Sequence, residues 1–228
     1  MDMIQNWVKD HRLFLFALLI IAGNFVWLMC FRKKLRMGWK AAALIAVLHD
    51  IIGYSAMRFL ALIEVGGNFS EAADMRLFGA VFLLPLFYYA GAKYTKRDTA
   101  LVMDVAAICL VVGLISGRLN CLCGGCCGGA RIWGTQTLCW PLREIELLFY
   151  AGFMVCFCKK ILHGQTHGEV YPVFMMVYGG IRFWMEWVRV EYTTRIGIFH
   201  LAHIWAIISF CVGASIYFEM KARRKRVR

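Results

Sequence analysis

Seven apolar runs, each about as long as a bilayer is thick, dominate this 228-residue sequence. A membrane-crossing helix needs about 20 mostly apolar residues. The runs fall at 13–31, 40–63, 76–94, 99–117, 142–161, 169–189 and 196–218. Hydrophobic residues make up 61% of the chain and charged residues 18%. A soluble core of this size could not hide so much apolar surface. That excludes a disordered chain, a collagen-like chain and a soluble disulfide scaffold. The pattern predicts an all-α polytopic membrane protein with one membrane-embedded domain over 1–228 and no internal repeat. The first run begins near Leu13 without a basic leader or a small-residue cleavage site, so it reads as a retained span.

The charges between the runs predict a topology. Arg32, Lys33, Lys34, Arg36 and Lys40 follow the first run, and Lys93, Lys96 and Arg97 follow the third. Lys159 and Lys160 follow the fifth, and a basic tail from Lys221 to Arg228 follows the seventh. The connection after the second run carries Glu64, Glu71 and Asp74 instead. Basic residues collect on the cytoplasmic side, so the alternation predicts an external N-terminus and a cytoplasmic C-terminus. The formal net charge of +12 follows from the same bias. No nucleic-acid partner is expected, because no soluble recognition domain remains. The basic tail suits anionic headgroups.

Ionisable groups inside spans are costly and are functional candidates by default. With this topology Arg58, Arg118, Glu146, Arg182, Glu186, His200 and His203 come from five spans and meet in the outer leaflet. Arg182 and Glu186 stand at i and i+4, on one helical face. They could simply neutralise each other. Arg118 and Glu146 widen the reading: two arginines make a fork for a phosphodiester, and two carboxylates can hold them or move a proton. His49 and Asp50 read as polar glue between helices. His200 and His203 share a face but have no further ligand at helical spacing, so no metal site is expected. They read as interfacial side chains, with a general-base role for His203 as the alternative. Trp133, Trp184, Trp187 and Tyr192 read as an interfacial belt.

The segment Gly117–Gly129 is rich in glycine and cysteine. Its glycines permit tight turns, and its backbone N–H groups could form an anion nest. Cys121, Cys123, Cys126, Cys127 and Cys139 lie close together on the predicted outer side. They could be small apolar thiols, a Cys121–Cys126 or Cys123–Cys126 disulfide, or a metal site.

These segments resemble the prolipoprotein diacylglyceryl transferase family. Its glycine signature, G-R-hydrophobic-G-N-F-x-N-G-E-x-x-G, matches Gly117–Gly129. Arg118 falls on the family's essential arginine, Cys121 on its asparagine, Gly125 on its glycine and Cys126 on its glutamate. A cysteine-bearing subset, G-R-x-G-C-x-x-x-G-C-C-x-G, is closer still. The family's H-P-x-Q-L-Y-E survives in Trp140–Glu146 as Pro141 and Glu146. Its Y-G-x-x-R-F-x-x-E-x-x-R is complete in Tyr178–Arg189. The histidine of its H-G-G stretch has no counterpart in Asp74–Gly79.

The resemblance implies a seven-span enzyme of the bacterial cytoplasmic membrane with its site toward the outer leaflet. Its members move a diacylglyceryl group from phosphatidylglycerol to the thiol of a lipobox cysteine in a prolipoprotein signal peptide, without cofactor or metal. Arg118 and Arg182 would stabilise the departing phosphate, Glu186 and Glu146 would orient them, and His203 or Glu146 would be the base. Another acceptor remains open. So do a non-catalytic lipid-binding or assembly protein on the same fold and a thiol–disulfide redox protein using the outer cysteines.

Overall fold

The computed structural model describes residues 2–67, 76–125, 128–132, 138–189 and 195–227. Among them are seven helices: α1 (Asp2–Phe31), α2 (Trp39–Glu64), α3 (Leu77–Tyr94), α4 (Thr99–Gly124), α5 (Leu142–Leu162), α6 (Val170–Glu186) and α7 (Leu201–Val227). A two-stranded hairpin, β1 (Arg195–Ile196) with β2 (Phe199–His200), leads into α7. The fold is all-α, as expected.

Five helices are long and apolar enough to cross a membrane: His11–Phe31, Trp39–Glu64, Leu77–Tyr94, Thr99–Gly124 and Leu201–Arg226. The predicted spans 142–161 and 169–189 are helices, but they differ from the other five. α5 carries Arg143, Glu144, Glu146, Lys159 and Lys160, and α6 is only 17 residues long. α5 is set apart by its charges and α6 by its length. One boundary also moves. The fourth apolar run ends at 117, yet α4 continues through the first part of the glycine–cysteine segment to Gly124. Gly125 then ends it at φ 67°, a left-handed C-cap that glycine takes without steric cost.

Helices α1 to α4 pack in a closed ring, each against two neighbours, and α5 and α6 pack on α4. Leu28, Phe31, Leu84, Val105, Ile108 and Val111 fill the centre of the ring. His49 is buried there and shares a hydrogen bond of 2.8 Å with the Tyr88 hydroxyl, so it does join α2 to α3. α7 lies along α6 at very short range. A Cβ on Gly213 would stand 2.7 Å from the Pro172 carbonyl oxygen, and one on Gly179 would stand 2.9 Å from the Phe210 nitrogen. Small residues allow this backbone approach, which maximises packing where no hydrophobic drive separates helix from lipid.

The start of α6 is held from another helix. Asp104, on α4, is fully buried. Its carboxylate accepts from the backbone N–H groups of Gly168 at 2.8 Å and Val170 at 2.9 Å. The Val170 N–H would otherwise be an orphan of the helix N-terminus, and the Gly168 N–H a buried donor of the turn before it. Asp104→Ala should therefore lower stability by about 1–3 kcal/mol. Thermal unfolding in detergent would read this as a clear drop in midpoint, and an unchanged midpoint would remove Asp104 from this role.

Candidate active site

The C-terminal ends of α4 and α6 meet the N-terminal ends of α5 and α7, and the ionisable residues gather there. Arg118 lies in the last two turns of α4 and Glu146 in the second turn of α5. Arg182 and Glu186 occupy the last turns of α6, and Arg189 follows its end. Glu146 is fully buried and is the hub. Its Oε2 pairs with Arg118 Nε. Its Oε1 accepts from Arg182 and Arg189, each at 3.0 Å. Glu186 adds longer contacts, 3.6 Å to Arg182 and 3.4 Å to Arg189. The side chains of Arg118 and Arg189 are only 4% exposed, and that of Arg182 only 11%. Among the described residues, three guanidinium groups thus gather around two carboxylates.

Arg189 completes the family-like motif in the sequence, but its place at the hub is a finding of the structure. A loop puts it there. Gly129 and Arg189 form an antiparallel bridge, Arg131 and Cys139 form another, and the Ala130 N–H donates to the Val188 carbonyl at 2.7 Å. The chain that leaves α4 therefore pins the residues just after α6. Gly129 is obligatory here, because its Cβ would stand 2.5 Å from Trp140 Cβ.

Aromatic side chains wall the cluster. The Arg182 guanidinium lies 5.9 Å from the Phe78 ring centroid. Phe78 meets Tyr178 at 5.2 Å, and Tyr150 and Tyr178 stack at 6.4 Å. Both tyrosines are buried, and neither hydroxyl finds a hydrogen-bond partner among the described residues. Buried hydroxyls normally have one. A ligand at the cluster would have two phenol groups to meet.

A second ion pair was not foreseen from sequence. Glu64 reads there as part of an acidic connection, but its side chain is only 6% exposed. It pairs with Arg76 at 2.6 Å and accepts from the Trp205 indole N–H at 2.7 Å, tying α2, α3 and α7 together. The signal available in the sequence was Arg76 standing where the family's H-G-G stretch would fall.

His203 is buried in the first turn of α7, beside the cluster and in electrostatic contact with Glu186. Cys121 is one turn beyond Arg118, within electrostatic reach of it. Cys126 and Cys127 lie outside the described residues, as do Asp74, Trp133 and Tyr192, so neither proposed disulfide involving Cys126 falls within them. Trp184 and Trp187 are exposed at the end of α6, as a belt would require. Among the described residues no three His, Cys, Asp or Glu side chains are grouped to hold a metal ion.

A helical membrane bundle with a buried arginine–carboxylate cluster at one end is the class of protein these features define. The chain belongs to the prolipoprotein diacylglyceryl transferase family, whose description matches residues 15–219. Curated relatives agree at low identity. The phosphatidylglycerol–prolipoprotein diacylglyceryl transferase of Dehalococcoides mccartyi strain 195 is 20% identical over 178 residues, 70% of this chain. The protein of the same name from strain BAV1 is 20% identical over 179 residues. The matched region spans 66% of the length of these relatives.

Removing the hub should be far costlier than removing a surface charge. Glu146→Ala leaves buried guanidinium groups uncompensated, a change worth about 3–5 kcal/mol. A variant as stable as wild type in detergent unfolding would show that the cluster is hydrated rather than buried.

Proposed function

We propose that this chain transfers a diacylglyceryl group from phosphatidylglycerol to the cysteine thiol of a prolipoprotein signal peptide. The names of the family and of its curated relatives support the reaction. One observation in the fold carries the reading: three buried guanidinium groups converge at one end of the bundle, the kind of cationic cluster that receives an anion. A phosphodiester carries one negative charge and suits the planar guanidinium fork. A redox reading needs partnered thiols at the site, and the cluster's chemistry is cationic instead.

The membrane reading rests on the same geometry. α5 and α6 are about 32 and 26 Å long at 1.5 Å per residue, enough to cross or nearly cross a hydrocarbon core of about 30 Å. Their principal charges are paired inside the bundle rather than turned to lipid. We take both as spans, which gives seven, with the N-terminus outside and the basic C-terminus cytoplasmic. The cluster then lies in the outer half of the bilayer of a bacterial cytoplasmic membrane, at the depth of a lipid headgroup.

The chemistry asks for a thiolate, an in-line approach to the glycerol carbon and a stabilised leaving phosphate. The C–S bond forms as the C–O bond to phosphate breaks, and glycerol phosphate departs. Arg118 and Arg182 hold the phosphate, and Arg189 adds to the field. Glu146 fixes all three guanidinium groups and has no oxygen free of them. Glu186, which meets Arg189 at 3.4 Å and Arg182 at 3.6 Å beside the phosphate-binding arginines, is our candidate for taking the thiol proton. Tyr150 and Tyr178 offer hydroxyls to the headgroup. Cys121 and Gly125 shape the end of α4 beyond Arg118, and no cofactor is required.

Arg182→Lys and Arg118→Lys keep the charge but lose the fork. Each should lower transfer from labelled phosphatidylglycerol to a lipobox peptide by about 100-fold or more, the usual loss for a displaced transition-state donor. Wild-type transfer in both variants, or none from the wild-type protein, would defeat the assignment.

A further inference from the structure

His203 has an unusual pair of surroundings. Its ring is 1% exposed. Trp187, Phe183 and Phe199 enclose it, with ring centroids at 4.7, 5.2 and 5.6 Å. Its Nδ1 accepts a hydrogen bond from the His200 backbone N–H at 3.1 Å. An accepting ring nitrogen carries no proton, so the neutral ring must be protonated at Nε2. A doubly protonated ring would set its Nδ1–H against the His200 N–H, so the local backbone favours the neutral form. Nε2 is itself buried, and no atom among the described residues accepts from it. The ring therefore holds a donor ready and has its only basic nitrogen occupied.

The position of the ring indicates what the donor meets. On one side is Glu186 and the arginine cluster. On the other, Ala206 and Phe210 continue the same face of α7. With Gly179 and Phe183 of α6 they line an apolar groove of about 250 Å³. Phe183, whose ring packs on His203, also lines this groove, so the imidazole adjoins it. A phospholipid with an acyl chain in the groove brings its glycerophosphate to this point.

We propose that His203 is a hydrogen-bond donor to a phosphate oxygen of the bound phospholipid, through Nε2–H, and not the base of the reaction. This rests on the cluster taking an anionic phospholipid, as the proposed function requires. It makes His203 a substrate-positioning contact that selects lipids with a phosphate over those without.

The test compares wild type, His203→Gln and His203→Phe in nanodiscs. Glutamine can place an amide N–H near the Nε2 position, whereas phenylalanine keeps the ring and loses the donor. Binding is measured for phosphatidylglycerol and for diacylglycerol of the same acyl chains. We expect wild type to prefer phosphatidylglycerol, and His203→Gln to stay within about threefold of it. His203→Phe should lose about tenfold in phosphatidylglycerol affinity with diacylglycerol unchanged, the scale of one hydrogen bond to a charged acceptor. Nitrogen-15 spectra of labelled histidine, assigned by the signal missing in His203→Phe, should show the Nε2–H form.

Equal affinity of His203→Phe and wild type for phosphatidylglycerol overturns the proposal. So does an Nδ1–H signature in wild type, or loss of transfer in His203→Gln with binding intact. A wild-type protein that does not prefer phosphatidylglycerol to diacylglycerol defeats the phospholipid reading itself. If wild type shows the preference and His203→Phe retains it, only the donor role falls. The spectra decide the tautomer independently of the binding result.

Discussion

Glu146 governs the architecture of this site. A carboxylate with no exposed surface is tolerable in an apolar bundle only if its charge is met at short range. Three arginines from two other parts of the chain meet it. The helices that carry them must therefore end at the same level and face the same way. One hub thus fixes the mutual position of α4, α5 and α6 more tightly than apolar packing could. Dispersion contacts between helix and helix resemble those between helix and lipid, whereas an ion pair has no substitute in hydrocarbon.

The remaining scaffold serves the same end. Asp104 holds the first turn of α6, and the bridge between Gly129 and Arg189 holds the residues just past its last turn. A helix fixed at both ends can present Arg182 and Glu186 with little slack, and a reaction that depends on positioning needs that rigidity. Close approach at Gly179 and Gly213 keeps α7 against α6, so His203 stays beside the cluster. Glu64 repeats the device on a smaller scale, with one carboxylate joining Arg76 and Trp205.

The glycine–cysteine segment is regular helix as far as it is described before Gly125. Its first half extends α4, and Gly125 ends the helix by the left-handed turn that side chains resist. Arg118 is thereby carried on regular helix rather than on a loop.

Hydrophobic run length and charge spacing were enough to locate all seven helices, because a bilayer demands about 20 apolar residues and a helix repeats every 3.6. Spacing also placed Arg182 and Glu186 on one face, and motif resemblance picked out Arg118 and Glu146. What the chain order could not disclose was which groups meet. Glu146 as the common partner, Arg189 as the third cation, the burial of Glu64 and the accepting state of His203 Nδ1 all join residues on different elements. Periodicity reports the faces within one helix and is silent about neighbours. Only the packed bundle, which brings four helix ends together and excludes water from between them, decides which charges pair and which donor is left for a ligand.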